Sequence, residues 1–506
     1  MARPVDAVTR RQGPAVSRAR TPEAPRPAAA AVDLDAVAAA ARAAAERGNA
    51  KALPRLEADL LAAAPRMPSD DPAMAAAVQA VLHAWVRCRQ PARAIPFATA
   101  AYAALGYDRH ATPEVLLRMA VGDLAGARLL AEELAAAPVD FGGHGLRAFT
   151  RELLGRHADA AADGVRFHAT AVEAARSPAR RGEIARRYTP AAAHLIAQFG
   201  AACVAVEEAF PGARPWRGEA LGGDAVLLRL IEGYGDQLQA LRLARAVREA
   251  GGRAVVECDA PLGDVVRAAG IADAVVVRAA PLPAIGDEVR GAVATSRASP
   301  HASPLPWYVV VGGRLHETGI PPARWPAAPY LDLPADAGAE PLVLADLPRP
   351  RVGLLWAGSP AFPLEAIRAL PVDALARLVG ATPRVSWVSL QLESHPRAAE
   401  LTRTPALRRV RAGGAAVRSF GDTARLMRHL DLVVATDSAP VHLAGALGVP
   451  VWVLLSASFD WRWGMEEERT PLYPSVRLIR DGARGDWTAA VDRVARDLNA
   501  RRWGAG

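Results

Sequence analysis

Residues 431–450 read DLVVATDSAPVHLAGALGVP, and this stretch decides the fold. An uninterrupted apolar run, Leu432–Ala435, ends in Thr436-Asp437-Ser438, and small residues at helical spacing follow at once. A buried strand running straight into a helix is the repeating unit of a parallel sheet covered by helices. The first N–H groups of such a helix have no partner within it, and its dipole is positive there, so the junction suits phosphate oxygens. Ser438 adds a hydroxyl, Ala439 and Pro440 open the first turn, and His442, one turn in, can face the same ligand. Gly445 is expected to let the helix pack closely on the next strand, which Pro450 introduces. A plainer reading stays open: Asp437 and Ser438 as a helix N-cap.

Working outward, the same alternation recurs on both sides. Downstream of Arg351 the strands read as Val352–Trp356, Val385–Leu390, Leu432–Ala435 and Val451–Leu455, separated by helical pattern. Upstream, Ala225–Ile231 is followed by a helix over about 236–250, then Arg253–Cys258, a short helix and Ala274–Val277. An irregular, proline-rich stretch from Pro281 to Pro350 joins the two series. The expectation is α/β: two Rossmann-like lobes, 215–345 and 350–500, facing a cleft, with ligands beyond the C-terminal strand ends.

Ahead of the lobes lies a different texture. Residues 1–30 mix Arg, Pro and Ala without periodicity and read as a disordered tail. Over 31–200 alanine-rich helical segments are broken by short Gly, Pro or Asp punctuation. Gly122-Asp123-Leu124 with Ala127 recurs 33 residues on as Gly155-Arg156-His157 with Ala160. Gln90-Pro91-Ala92 with Ile95 stands 32 residues earlier, and Gly48-Asn49-Ala50 with Leu53 is a looser copy. A turn glycine with a small residue five positions later resembles the second helix of a tetratricopeptide repeat, and Pro138 falls where that repeat often closes. A plain alanine-rich bundle is the alternative.

The bulk numbers narrow the function. The net charge is +8, but six arginines against Asp6 and Glu23 place +4 of it in the first 30 residues. Elsewhere basic and acidic residues are interspersed, so no nucleic-acid partner is expected. A single lysine, Lys51, accompanies sixty arginines. With the abundant alanine, that bias points to a GC-rich bacterial genome. No apolar run is long enough for a transmembrane segment, although peripheral membrane contact stays possible, and no signal peptide is read at the N-terminus. Cys88, Cys203 and Cys258 lie far apart, without the spacing of a zinc site or a disulfide framework, which fits a cytoplasmic setting. No metal, cofactor or Gly-x-Ser-x-Gly nucleophile site is read.

Further motifs flank the strand ends: Gly233-Tyr-Gly235-Asp236-Gln-Leu-Gln239, Leu354-Leu-Trp356-Ala-Gly358, Ser389-Leu-Gln391, Phe420-Gly-Asp422-Thr423-Ala and Asp460-Trp-Arg-Trp463. Together with 431–450, in this order, they resemble the ADP-heptose:lipopolysaccharide heptosyltransferases (glycosyltransferase family nine). In layout they are also similar to tetratricopeptide-linked glycosyltransferases related to O-linked N-acetylglucosamine transferase. The resemblance covers roughly 215–500 and implies a GT-B-type pair of lobes. It further implies a nucleotide-sugar co-substrate without a cofactor, and metal-independent transfer with inversion to a protein or glycan acceptor, the helical region holding the acceptor.

What the resemblance implies for single residues is specific. Asp236 becomes the general base for an acceptor hydroxyl, with Gly233, Gly235 and Gln239 on the acceptor side; the alternative for Asp236 is an N-cap. Gly358, Ser359, Arg368, Gln391, Asp437, Ser438, Ala439, Pro440 and His442 become the donor side. Arg368 would pair with the diphosphate. Relatives resemble Gly-Asn-Pro-x-His-x-Asn-Asp-x-x-Arg-Ser in this loop. Here Ser359, Phe362, Leu364 and Ala369 replace the Asn, His, Asn and Ser, which leaves a non-catalytic binding scaffold as the rival reading. Asp422 reads as the N-cap of a helix from Thr423, and Trp461-Arg462-Trp463 as lid or interdomain packing. Gly233, Gly235 and Glu257 also invite a dinucleotide site, but position 238, where a third glycine belongs, is Leu238.

Overall fold

The computed structural model describes residues 32–500 except 69–70, 89, 106–114, 116–117, 120–122, 140–142, 189, 297–306, 313, 335–339, 361, 363–364, 457–458, 466–467 and 483–485. The tail at 1–30, Gly122 of the repeat reading, and Ala361, Pro363 and Leu364 of the donor loop lie outside the described residues.

The fold is α/β, with two parallel sheets behind a helical N-terminal region. The first sheet orders its strands β1-β5-β2-β3-β4: Arg214–Pro215, Trp307–Val311, Ala225–Leu230, Arg253–Cys258 and Ala274–Val277. The second is β11-β10-β9-β6-β7-β8: Val476–Gly482, Val451–Ser456, Leu432–Thr436, Arg351–Leu355, Ser386–Ser389 and Arg411–Ala412. Every pairing within them is parallel. The central strands are apolar at nearly every position because helices bury both faces. In each sheet the chain reverses direction once. The reversal falls between β2 and β5 in the first sheet and between β6 and β9 in the second, and at such switch points neighbouring loops leave in opposite directions and form the crevice where ligands bind.

One face of the first sheet is covered from outside its own α/β series. Phe167, Phe199, Cys203 and Val206, from helices His157–Arg176 and Pro190–Ala209, pack against Leu227, Val255, Tyr308 and Val310. The Tyr308 hydroxyl donates to Glu207 Oε1 at 2.6 Å. The last long helices of the N-terminal region thus share this face with helix Asp287–Thr295, whose Val289 and Val293 join the same core. Helices Leu34–Glu46, Leu53–Ala63, Pro72–Arg87 and Pro91–Ala104 share a core of their own around Val37, Leu53, Val78, Val81 and Trp85. The turns read as repeat starts each lead into a helix, at Ala50–Ala52 and Leu53, Pro91, Leu124 and His157. Leu53, Ala127 and Ala160 are buried, while Ile95 is half-buried.

The expected helix over 236–250 is two helices, Tyr234–Ala240 and Arg242–Glu249, and a single apolar core runs through both lobes, joining Leu238 and Leu243 to Val441, Leu443 and Tyr473. The Arg242 guanidinium crosses the boundary to donate to Leu472 O at 3.1 Å. The lobes therefore meet along packed helices rather than across a wholly open cleft. No described helix is long and apolar enough to cross a membrane.

Candidate active site

In the second lobe β9 ends at Thr436 and delivers Asp437 and Ser438 to the crevice beside β6. Helix Ala439–Leu447 begins there and ends at Gly448, whose φ of +73° is the left-handed conformation glycine adopts without strain. Ser438 is its N-cap, but its hydroxyl donates back to Thr436 O at 2.9 Å and caps nothing. Pro440 has no N–H, and Val441 N–H donates to Ser438 O at 3.0 Å. The helix start therefore presents fewer free donors than a generic N-terminus, and cationic side chains supply much of the positive field.

Those side chains are Arg368 and Arg462. Arg368 ends a one-turn helix, Glu365–Arg368, and gives Nε and Nη2 to Glu365 Oε2 at 2.9 and 2.6 Å. Glu365 Oε1 accepts from Gly358 N–H at 2.6 Å, so one carboxylate ties the loop after β6 to the arginine. A Cβ on Gly358 would stand 2.5 Å from Arg368 Nη2, so a larger residue there would push the guanidinium aside. Ser359 is exposed next to it. Gln391 Oε1 accepts from Ala357 N–H at 3.2 Å, which makes Gln391 a brace between the β6 and β7 ends.

Asp236 approaches from the other lobe, at the crevice after β2. Gly233, not Asp236, caps helix Tyr234–Ala240; Asp236 stands in its first turn, so the cap alternative does not describe it. Its Oδ1 meets Arg462 Nη2 at 2.5 Å across the lobe boundary. Arg462 Nε is also 3.4 Å from Asp460 Oδ1. The Asp236 side chain is 23% exposed. Burial pushes its carboxyl above the ordinary value and Asp460 adds to this, while Arg462 and Arg314 oppose. Asp437, only 5% exposed, is likewise raised by burial and then Asp460, against Arg368 and Arg462. Burial works to lower the Arg462 guanidinium, but Asp460, Asp236 and Asp437 outweigh it and hold it charged. Asp236, Arg462 and Asp460 thus form one ionic knot between the lobes, and its field reaches Asp437.

Several expected roles are changed by this packing. Gly235 admits protein rather than substrate, because a Cβ there would lie 3.0 Å from the His442 ring and 3.5 Å from Ala439 Cα. His442 is 1% exposed, stacks on Trp463 at 5.3 Å and meets Tyr473 Oη through Nδ1 at 3.0 Å. Burial, then Arg462, Arg242 and Arg368, push it well below the usual histidine range, so it is neutral. Gly445 accommodates the Tyr473 ring, 2.5 Å from a Cβ placed there, rather than the next strand. Gln239 is buried in its helix. Asp422 is not an N-cap: Ser419 is, accepting from Asp422 N–H at 3.2 Å while Asp422 Oδ2 accepts from Arg418 N–H at 3.0 Å. Glu257 is spent on Arg229 at 2.8 Å and Arg278 at 3.9 Å, which argues against the dinucleotide reading.

Sequence reading passed over three acids and a base here. Glu365 is one, and its signal was only its i,i+3 spacing to Arg368. Glu232, Arg314 and Glu317 flank the β2/β5 crevice. Glu317 is 5% exposed, its Oε2 accepts no hydrogen bond among the described residues, and Oε1 lies 3.6 Å from Arg314. Burial drives Glu317 up to about 8; Arg314 opposes, and Glu232 and Asp236 assist. Burial and then Asp236 raise Glu232 to about 7. A carboxyl whose folded pKa exceeds its unfolded value of about 4.3 costs stability as pH rises between the two. Glu317→Gln is therefore expected to gain melting temperature over the parent as pH goes from 5 to 8.5, by at least about 2 °C. A pH-independent difference would show that Glu317 is ionised throughout. Among the described residues no group of three His, Cys, Asp or Glu is placed to hold a metal ion.

Residues 395–481 match the pattern of glycosyltransferase family 9 (heptosyltransferase). The matched segment lies in the second lobe and contains Asp437, Ser438, His442, Asp460 and Arg462. Over 153 residues the chain is 33% identical to Protein FlbA of Caulobacter vibrioides, covering 30% of this chain; the match spans about a quarter of that relative's length (25%). Three solved structures are similar at low identity. A glycosyl transferase family 9 protein from Veillonella parvula has 12% identity and a TM-score of 0.38, covering 56% of this chain and 100% of that one. The E. coli ADP-heptose lps heptosyltransferase II has 15% and 0.37, over 55% and 98%. E. coli heptosyltransferase WaaC with ADP has 13% and 0.36, over 56% and 99%.

Proposed function

We propose that the chain moves a glycosyl group from a nucleoside-diphosphate sugar to an acceptor hydroxyl, with inversion and without a metal ion, in a GT-B-type pair of lobes. The observation that carries this is the ionic knot. A carboxyl raised above its ordinary value, Asp236, is paired with Arg462 of the segment that matches family 9, and the fields of Arg462 and Arg368 reach Asp437 in the same segment. Asp236 takes the proton of the acceptor O–H as that oxygen attacks the anomeric carbon. The bond from that carbon to the diphosphate breaks, and its electron pair leaves with the nucleotide. Arg368 and Arg462 offset the charge that develops there. For the arginines to reach the diphosphate, their bonds to Glu365 and Asp236 must be exchanged for bonds to phosphate oxygens. The raised Asp236 and Asp437 carboxyls make the exchange less costly. The acceptor in this reading is a protein or glycan held by the helical region, whose tetratricopeptide-like turns would form an extended surface, and the setting is the bacterial cytoplasm.

A second reading is favoured by one observation: both arginines are already ion-paired within the chain, and Ser359, Phe362, Leu364 and Ala369 stand where the relatives' loop is polar. It makes the protein a scaffold that binds glycan or protein without turnover. Calorimetry against ADP, GDP, UDP and dTDP and their sugars separates the two. One nucleotide should bind, and Arg368→Ala should weaken it about tenfold or more, the worth of a charge-assisted hydrogen bond. Absence of binding at about millimolar nucleotide would leave the scaffold reading.

A further inference from the structure

The two arginines beside Asp437 sit on short single turns, and neither turn is held by its own lobe alone. A four-residue helix cannot sustain itself, because nucleation costs more than one turn returns. The position of Glu365–Arg368 is therefore borrowed from whatever it packs on. Ile367, the residue before Arg368, is 8% exposed, and its side chain belongs to the core formed by Val37, Leu53, Val78, Val81 and Trp85 of the first four helices. The turn itself lies against helix Pro72–Arg87. The turn Trp461–Trp463, which carries Arg462, lies in the same way against helix His144–Leu153. Glu365 and Arg368 are bonded to each other, and Glu365 to Gly358 N–H, so the turn is tied to the end of β6.

We propose that the N-terminal helices position the donor arginines, with Ile367 as the positioning residue that seats Arg368. This rests on the reading of Arg368 as a donor-site group, and it adds a role for the helices besides holding an acceptor. The donor side is then completed by a region outside the α/β lobes. Whatever shifts helices 34–104 shifts Arg368.

The test uses the full chain and two readouts. Hydrogen exchange is followed at Ala369 N–H, which donates to Glu365 O at 2.9 Å, and at Leu370 N–H, which donates to Trp356 O at 2.9 Å. Ile367→Ala should speed exchange at Ala369 and leave the β6–β9 strands unchanged, while Ile367→Val should behave as the parent. Unchanged exchange at Ala369 overturns the seating whether or not a nucleotide binds. Affinity for the nucleoside diphosphate selected by calorimetry should fall about tenfold in Ile367→Ala, recover in Ile367→Val, and show no further fall when Ile367→Ala is added to Arg368→Ala. Fully additive losses would mean that Ile367 does not act through Arg368. If Arg368→Ala leaves affinity intact, the donor reading of Arg368 fails, and the proposal of a donor role for the helices fails with it, even where the exchange result supports the seating. Should Ile367→Ala not fold, Ile367→Thr carries the same comparison against Ile367→Val, which has its shape without the hydroxyl, with smaller shifts expected.

Discussion

Asp236→Asn is expected to lower the transfer rate by about 10²–10⁴-fold, the range for loss of a general base, while nucleotide affinity holds or tightens. The asymmetry follows from the knot. Asparagine keeps the shape of the side chain but cannot take a proton. It also removes one carboxylate from Arg462, which keeps Asp460 and is freer to turn to a diphosphate. The pH profile gives a second reading of the same residue. Because burial and Asp460 raise the Asp236 carboxyl, the acid limb of kcat/KM should lie above the ordinary aspartate value of about 3.9. Rate falls as pH falls through that limb, since the base must be ionised. A variant that binds nucleotide poorly but turns over normally would recast Asp236 as a clamp between the lobes.

Gly164→Ala is expected to be the most disruptive single methyl in the described chain. Gly164 lies in helix His157–Arg176, where a Cβ would stand 1.7 Å from His316 O and 2.7 Å from His316 C. That obstacle is backbone and cannot turn away. His316 is fully buried, with Nδ1 3.5 Å from Glu152 Oε1. Against burial, which raises it, His157 and His316 hold Glu152 down at about 2. The helix or the Leu315–Thr318 turn must move, at a cost of about 3 kcal/mol or more. A fall in melting temperature of at least about 5 °C is expected. Gly291→Ala is the control: nothing lies within 4 Å of its Cβ, and alanine in the middle of helix Asp287–Thr295 should be neutral or stabilising by up to about 1 kcal/mol. Equal effects of the two substitutions would show that the close approach at Gly164 does not exist in solution. Since Glu317 sits on the turn that Gly164 touches, the same variant should disturb the β2/β5 crevice.

The seven strands read from apolar runs are strands in the structure, with Arg253–Cys258 and Ala274–Val277 matched end to end and the others differing by one residue at one or both ends. Burial on both faces explains this success, because such a strand must be apolar throughout and so announces itself. Trp307–Val311 was hidden in the proline-rich stretch, and Val476–Gly482 carries Arg477, Arg480 and Asp481, which break the run. Short edge strands such as Arg411–Ala412 leave no pattern at all.

The site divides along the same line. By itself the sequence determined the parallel α/β lobes, the helical region ahead of them, and the strand ends where Asp236, Gly358 and Asp437 stand, because these depend on local periodicity and on turns between neighbours in the chain. Only the tertiary structure decided that Arg462 pairs with Asp236, residues 226 positions apart. It alone showed that His442 is stacked under Trp463, that Gly235 makes room for His442, and that Ile367 belongs to a core begun at Val37. A charge or a small residue looks the same in sequence whether it meets solvent, substrate or another helix. What it meets is settled by packing between distant segments, and no local pattern records that.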